Sequence, residues 1–161
     1  MNSKLLIKEL IFFRLLFWSL INNKTNISNI MRSSLIGENQ KIIIHNLGYI
    51  DSLAIDLYRK ILYFSDIFHK SVEYSDYLGN NHTILVKDTF TTPANKLNFY
   101  ENSIYWQIGL KGSIVKCDLF GNKTCSLYRV NEIVFDQYFV ILQISKQPKG
   151  INLITSIIVP F

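Results

Sequence analysis

The sequence predicts an all-β chain made of about three four-stranded antiparallel blades of a β-propeller. Two observations carry that expectation. An aromatic, strand-like stretch occurs three times, as "RLLFWS" (14–19), "ILYFSD" (61–66) and "SIYWQI" (103–108). Each copy leads into a glycine turn, and Gly37, Gly79 and Gly121 stand 42 residues apart (79 − 37 and 121 − 79). Before each glycine the same apolar spacing returns: Ile30, Val72 and Ile114 lie seven residues upstream, and Leu35, Tyr77 and Leu119 lie two upstream. Four short strands in a period of about 40 residues mark a propeller blade, whereas a helical solenoid needs a period of about 3.6 that these segments lack.

The elements follow in chain order. The opening "KLLIKELIFFRLLFWSLI" is similar to a secretory leader, but Arg14 interrupts its apolar run, Glu9 sits where acids are rare, and no small-residue cleavage site follows. The repeat accounts for the same residues better, so 14–46 is expected to supply three outer strands of a blade, and 1–13 is open between strand and helix. The first copy carries four extra residues in the polar "INNKTN". In the middle copy, 50–88, "DSLAIDL" alternates around Leu53 and Ile55, "ILYFSD" follows, "KSVEYSDY" runs into the Leu78-Gly79-Asn80-Asn81 turn, and "TILVK" returns. Gly and Asn suit the positive φ of such a turn. The third copy is 91–130, a closing strand is expected within 132–144, and 147–161 forms an exit segment and apolar tail. Predicted strands lie near 14–19, 29–35, 40–45, 52–57, 61–65, 71–77, 83–87, 96–99, 103–107, 113–119, 124–129 and 133–143. Since blades cover both faces of each sheet, Phe17, Trp18, Leu53, Ile55, Tyr63, Phe64, Leu97, Tyr105 and Trp106 are expected to be buried between them.

Composition fits an ordinary folded chain. Of 161 residues, 48% are hydrophobic and 14% aromatic, enough to bury a core. The net charge of +5 is scattered rather than clustered, which argues against a nucleic-acid surface.

The residues Leu53-Ala54-Ile55-Asp56, then Tyr63-Phe64-Ser65-Asp66, then an apolar residue seven before glycine, resemble the YWTD (LDL-receptor class B) repeat of extracellular propellers. Tyr105-Trp106 and Phe17-Trp18 match its aromatic pair, and the resemblance spans about 14–152. It implies a partial six-bladed β-propeller, made of three repeats from the C-terminal half of the ring. It also implies that the Asp closing the aromatic strand, Asp66, bonds backbone near the inter-strand turn and ties blades together. A buried acid must in any case find donors. Leu20 and Ile108 stand in that place in the other copies, and Asn98 stands where the middle copy has Asp56. The segment Gln147-Pro148-Lys149-Gly150 is similar to the family's exit from its last blade, yet "ITSIIVPF" follows where the family has a Cys-rich EGF-like module. The chain is therefore expected to be a fragment or a truncated product, whose full-length partners are the remaining blades and an EGF-like module.

The resemblance implies a non-catalytic extracellular ligand-binding module of a lipoprotein- or vitellogenin-receptor-like endocytic receptor. Its partner would be a lipoprotein, a yolk protein or another extracellular domain. The alternatives are an adhesion, matrix or Wnt co-receptor-type propeller and, more remotely, a propeller hydrolase or lactonase with metal-binding acids at the channel mouth. The ligand face would be built from the loops joining each outer strand to the next inner strand, with His45, Tyr49, Asp51, Asp88 and Arg129 as candidates. Neither a catalytic group nor a cofactor is expected. His45, His69 and His82 stand singly near strand ends and read as partly exposed turn residues. Cys117 and Cys125 lie four residues either side of Gly121, placed either to form a cross-strand disulfide or to remain thiols. Asn23, Asn26, Asn81 and Asn122 open N-x-[ST] sequons in expected turns, as suits a glycoprotein.

Overall fold

A computed structural model describes residues 15–88, 94–108, 113–121 and 124–128, together with the backbone of 6–10. The expected closing strand, the exit segment, Arg129 and Asn122 lie outside the described residues. Three antiparallel four-stranded sheets follow one another along the chain. The first contains β1 (Leu6–Leu10), β2 (Leu15–Asn22), β3 (Ile27–Ser34) and β4 (Lys41–Leu47). The second contains β5 (Ile50–Asp56), β6 (Ile61–Asp66), β7 (Ser71–Asp76) and β8 (Thr83–Lys87). The third contains β9 (Asn95–Tyr100), β10 (Ser103–Ile108), β11 (Ser113–Asp118) and β12 (Cys125–Tyr128). Each is a meander in which neighbours in sequence are neighbours in the sheet, as short hairpin turns dictate. No described residue is helical. The first sheet therefore has four strands, with Leu6–Leu10 paired in register against Ser19–Leu15.

The middle sheet shows why the blades stack. Side chains alternate across a strand, so neighbouring residues face opposite sides. Leu53, Leu62 and Phe64 pack toward the first sheet with Phe17, Ile30 and Ile44, whereas Ala54, Tyr63 and Val72 pack toward the third with Leu97, Ile104 and Trp106. Both faces are covered, which is why β6 reads as a continuous apolar run rather than an alternation. The first strands touch from sheet to sheet, β1 to β5 and β5 to β9, and so line the common axis.

Serines carry part of this contact. Ser28 Oγ accepts the Ile50 N–H at 3.5 Å, and Ser52 Oγ accepts the Leu97 N–H at 2.8 Å, so each blade takes a backbone donor from the next. Three aromatic and aliphatic positions depart from the expected burial. Trp18 and Tyr105 are only half-buried because their neighbours Phe17 and Trp106 take the inter-blade side, and Ile55 lies half-buried at the margin of its cluster.

The turns are as tight as their residues allow. Gly79 has φ +86, and a Cβ on it would collide with the Ile43 carbonyl of β4. The backbone of the second blade thus touches that of the first at a site only glycine can occupy. Gly37 and Gly121 share the positive φ but meet nothing within 4 Å.

Candidate functional site

The meander sorts every connection onto one of two ends of the blades. One end carries the β2–β3 turn, the β6–β7 turn (67–70) and the links between blades, and is called the link face here. The other carries the β3–β4, β5–β6, β7–β8 and β11–β12 turns, and is called the turn face.

On the link face, Asp66 organises the structure. Its side chain is fully buried, and Oδ2 accepts the Gly48 N–H at 2.7 Å while Oδ1 accepts the His69 N–H at 2.9 Å. The ring Nδ1 of His69 lies 2.8 Å from Oδ2. A carboxylate at the end of β6 thereby fixes both its own turn and the link from β4 to β5. Ile67 adds a backbone bond to the Tyr49 carbonyl at 2.9 Å. Gly48 is required sterically, since a Cβ there would collide with Asp66 Oδ1 and with Phe68.

The candidate ligand-face residues are distributed differently from the sequence expectation. The loop expected over 45–51 shrinks to Gly48 and Tyr49, because His45 belongs to β4 and Asp51 to β5. His45 is exposed, and Tyr49 and Asp51 are half-buried. Asp88 is exposed at φ +61, its N–H bonded to the Lys70 carbonyl at 2.9 Å. The sequence reading missed Phe68 and took His69 only as a partly exposed turn residue; both stand out beside these residues. Phe68 is 65% exposed, and the His69 ring is held by Asp66 with much of its surface in solvent. The spacing Asp66-x-x-His69 was the available signal.

On the turn face, Asp56 has the corresponding role. Its buried carboxylate accepts the Tyr58 and Arg59 N–H groups at 2.9 and 3.0 Å and pairs with Arg59 Nη1 at 2.7 Å. Arg59 then reaches the third blade, donating to Asn102 Oδ1 at 2.6 Å and lying 4.1 Å over the Phe120 ring. Toward the first blade, Arg32 donates to the Tyr77 carbonyl at 3.1 Å, and Tyr77 packs on Phe17 at 4.9 Å. The Tyr77 hydroxyl donates to the Asp56 carbonyl at 3.1 Å. Burial, and then the nearby Asp56 carboxylate, push the Tyr77 and Tyr63 phenols well above their ordinary range. In the third blade Asn98 instead bonds the Lys96 carbonyl, and Ile108 offers no acceptor in the Asp66 position. The carboxylate of Asp66 therefore has no counterpart at Ile108.

One buried polar group could be taken for catalytic machinery. Ser71 Oγ donates to one oxygen of Glu73 and His82 Nε2 contacts the other, with Ser71 and Glu73 both buried. The carboxylate stands between the hydroxyl and the imidazole, so the order differs from a Ser–His–acid triad, in which the imidazole faces the serine. Among the described residues, no group of three or more His, Cys, Asp or Glu could hold a metal ion. Cys117 and Cys125 face each other across β11 and β12 and form a disulfide with Cα atoms 4.1 Å apart. The sequons of Asn23, Asn26 and Asn81 all have an exposed Asn.

Comparison with known proteins agrees with this architecture. No family profile matches the chain. Over 136 residues, 83% of the chain, it is 29% identical to the vitellogenin receptor of Solenopsis invicta, and it spans 8% of that protein's length. Among solved structures, a nidogen/laminin complex chain matches with a TM-score of 0.67 at 16% identity, over 78% of this chain and 48% of that one. A luciferin-regenerating enzyme matches with a TM-score of 0.65 at 14% identity, over 80% of this chain and 47% of that one. Regucalcin from Agrobacterium tumefaciens Str. C58, a calcium-binding protein, matches with a TM-score of 0.56 at 13% identity, over 73% and 42%. The chain thus spans about half the length of each solved relative. Repeat, blade architecture and relatives together make this chain a stretch of β-propeller, similar in sequence to a vitellogenin receptor.

Proposed function

We infer that this chain is part of the extracellular, non-catalytic ligand-binding propeller of an endocytic receptor, with a yolk lipoprotein of the vitellogenin class as ligand. The carrying observation is the similarity to a vitellogenin receptor over most of the chain, joined to a face on which Tyr49, Asp51 and Asp88 stand beside exposed Phe68 and His69. Aromatic and charged side chains on a rigid frame are the ordinary material of a protein-binding surface. Binding of purified vitellogenin to the receptor propeller containing this chain tests the reading. Substituting Asp51, Phe68 and Asp88 by Ala should weaken binding while leaving the melting temperature nearly unchanged. Unaltered binding by all three variants would remove the proposed face.

A second reading is a matrix or adhesion propeller, which the nidogen/laminin neighbour favours. Immobilised laminin is the competing ligand in the same assay. The luciferin-regenerating and regucalcin neighbours favour a propeller hydrolase with a bound cation. A calcium-dependent rise in melting temperature would support that reading over the receptor.

A further inference from the structure

The repeat places one large apolar side chain on the turn face of every blade. Ile36, Leu78 and Phe120 each precede the turn glycine, 42 residues apart (78 − 36 and 120 − 78), and are 78%, 60% and 53% exposed. A single exposed apolar residue is ordinary. One equivalent exposed position is filled by Ile, Leu and Phe in three blades; Phe120 has the Arg59 guanidinium over its ring, and the position in the middle blade, Leu78, asks what covers it.

Two of the three turns also carry a sequon. Asn81-His82-Thr83 follows Leu78 within the same turn, and Asn122-Lys123-Thr124 follows Phe120, with Asn122 outside the described residues. The turn of the middle blade is built to present its sequon. Asp76 Oδ1 accepts the N–H groups of Leu78 and Asn80, each at 2.8 Å, so Leu78 and Asn81 ride on one fixed loop. His82, the central residue of the sequon, contacts Glu73 and leans on Phe64 with ring centroids 5.4 Å apart. Asn81, His82 and Thr83 are all exposed, and Thr83 Oγ1 donates to the Asn81 carbonyl at 3.0 Å.

We propose that Asn81 carries an N-linked glycan whose first sugar lies over Leu78 and covers it. The Asn81 carboxamide nitrogen forms a bond to the anomeric carbon of an N-acetylglucosamine carried on a lipid pyrophosphate. The anomeric carbon–oxygen bond to the pyrophosphate breaks, and the amide loses one proton. A pyranose ring has an apolar C–H face, and that face suits the isolated side chain left bare at this turn. The turn of the middle blade is then sugar-coated.

This inference rests on the extracellular placement proposed above, and its test does not involve ligand binding. The chain is directed into the secretory pathway of cultured eukaryotic cells with a heterologous leader, and glycopeptides are read by mass spectrometry. A glycan mass on the peptide holding Asn81, lost in Asn81→Gln, is expected. Enzymatic removal of the glycan should raise the fluorescence of a hydrophobic dye in the unsubstituted chain and raise it much less in Leu78→Ser. An unmodified Asn81 in the secreted chain overturns the site. An equal rise in Leu78→Ser overturns the covering of Leu78. Should Leu78→Ser fail to be secreted, Asn81→Gln decides: dye fluorescence no higher than that of the glycosylated chain overturns the covering. Loss of vitellogenin binding elsewhere would sink the receptor reading and leave these outcomes untouched.

Discussion

The carboxylate of Asp66, at the end of β6, accepts the backbone N–H of Gly48, which lies in the link between the first and second blades. A side chain of one strand thus sets the path of the chain entering its own blade. Gly48→Ala should destabilise the fold by about 1–3 kcal/mol, because the added methyl group overlaps Asp66 and Phe68. Asp66→Ala should cost about 1–3 kcal/mol for each backbone donor left buried and unpaired. Denaturant midpoints of the two variants and of the double variant provide the check. Independent, additive losses would show that the two residues do not act together.

Trp106 is fully buried against the second blade, whereas Tyr105, on the opposite side of β10, keeps part of its surface in solvent. Trp106→Ala is therefore expected to lose about 3–5 kcal/mol, and Tyr105→Ala distinctly less. Equal losses in thermal or urea unfolding would contradict the assignment of the two faces.

The Cys117–Cys125 disulfide closes a short loop with a sequence separation of 8. A loop of that size constrains the unfolded chain by about 2–3 kcal/mol in the chain-entropy account. Reduction, or the Cys117→Ser, Cys125→Ser pair, should lower the urea midpoint accordingly. The remaining two blades should keep their circular dichroism at low denaturant.

Tyr63 and Tyr77 carry raised phenol pKa values in the folded chain, first from burial and then from the Asp56 carboxylate. A raised folded value means that their contribution is complete below the unfolded phenol pKa of about 10 and is lost as pH rises beyond it. Stability should accordingly fall in the alkaline range above pH ~10. Tyr63→Phe together with Tyr77→Phe should flatten that fall, read from urea midpoints against pH. An alkaline slope unchanged by both substitutions would assign it to other groups.

Tyr63 is 3% exposed because Phe99 of the third blade stacks on it at 5.8 Å. Its counterpart one repeat later, Tyr105, lacks that degree of cover. The 161-residue chain by itself is expected to associate as concentration rises and to bind lipoprotein weakly or not at all. Sedimentation velocity decides this, and a compact monomer with tight yolk-protein binding would be the opposite result.

The fold was legible because glycine turns and aromatic strands recur at one spacing, and a repeat constrains every copy at once. Strand β1 was not, since Lys8, Glu9 and Arg14 break the apolar pattern and no turn glycine precedes β2. Burial was legible for Phe17, Phe64 and Trp106 but not for Trp18 or Tyr105. Alternation shows that two neighbours face opposite sides and does not show which side has another blade against it. The partners of Asp66 were legible only as a need for donors; Gly48 and His69 came from the backbone path. Nothing in "SVEYSD" marks Glu73 as a buried acid, and its burial beside Ser71 depends on the first blade covering that face.

The contact of Gly79 with the Ile43 carbonyl joins two blades through main-chain atoms. Spacing between blades at that point does not depend on side-chain size, so mutation can change most of the neighbouring side chains without altering how one blade is seated on the next. Such a seam tolerates drift everywhere except at its glycine, and it belongs to this pair of blades, since Gly121 one repeat later makes no such contact.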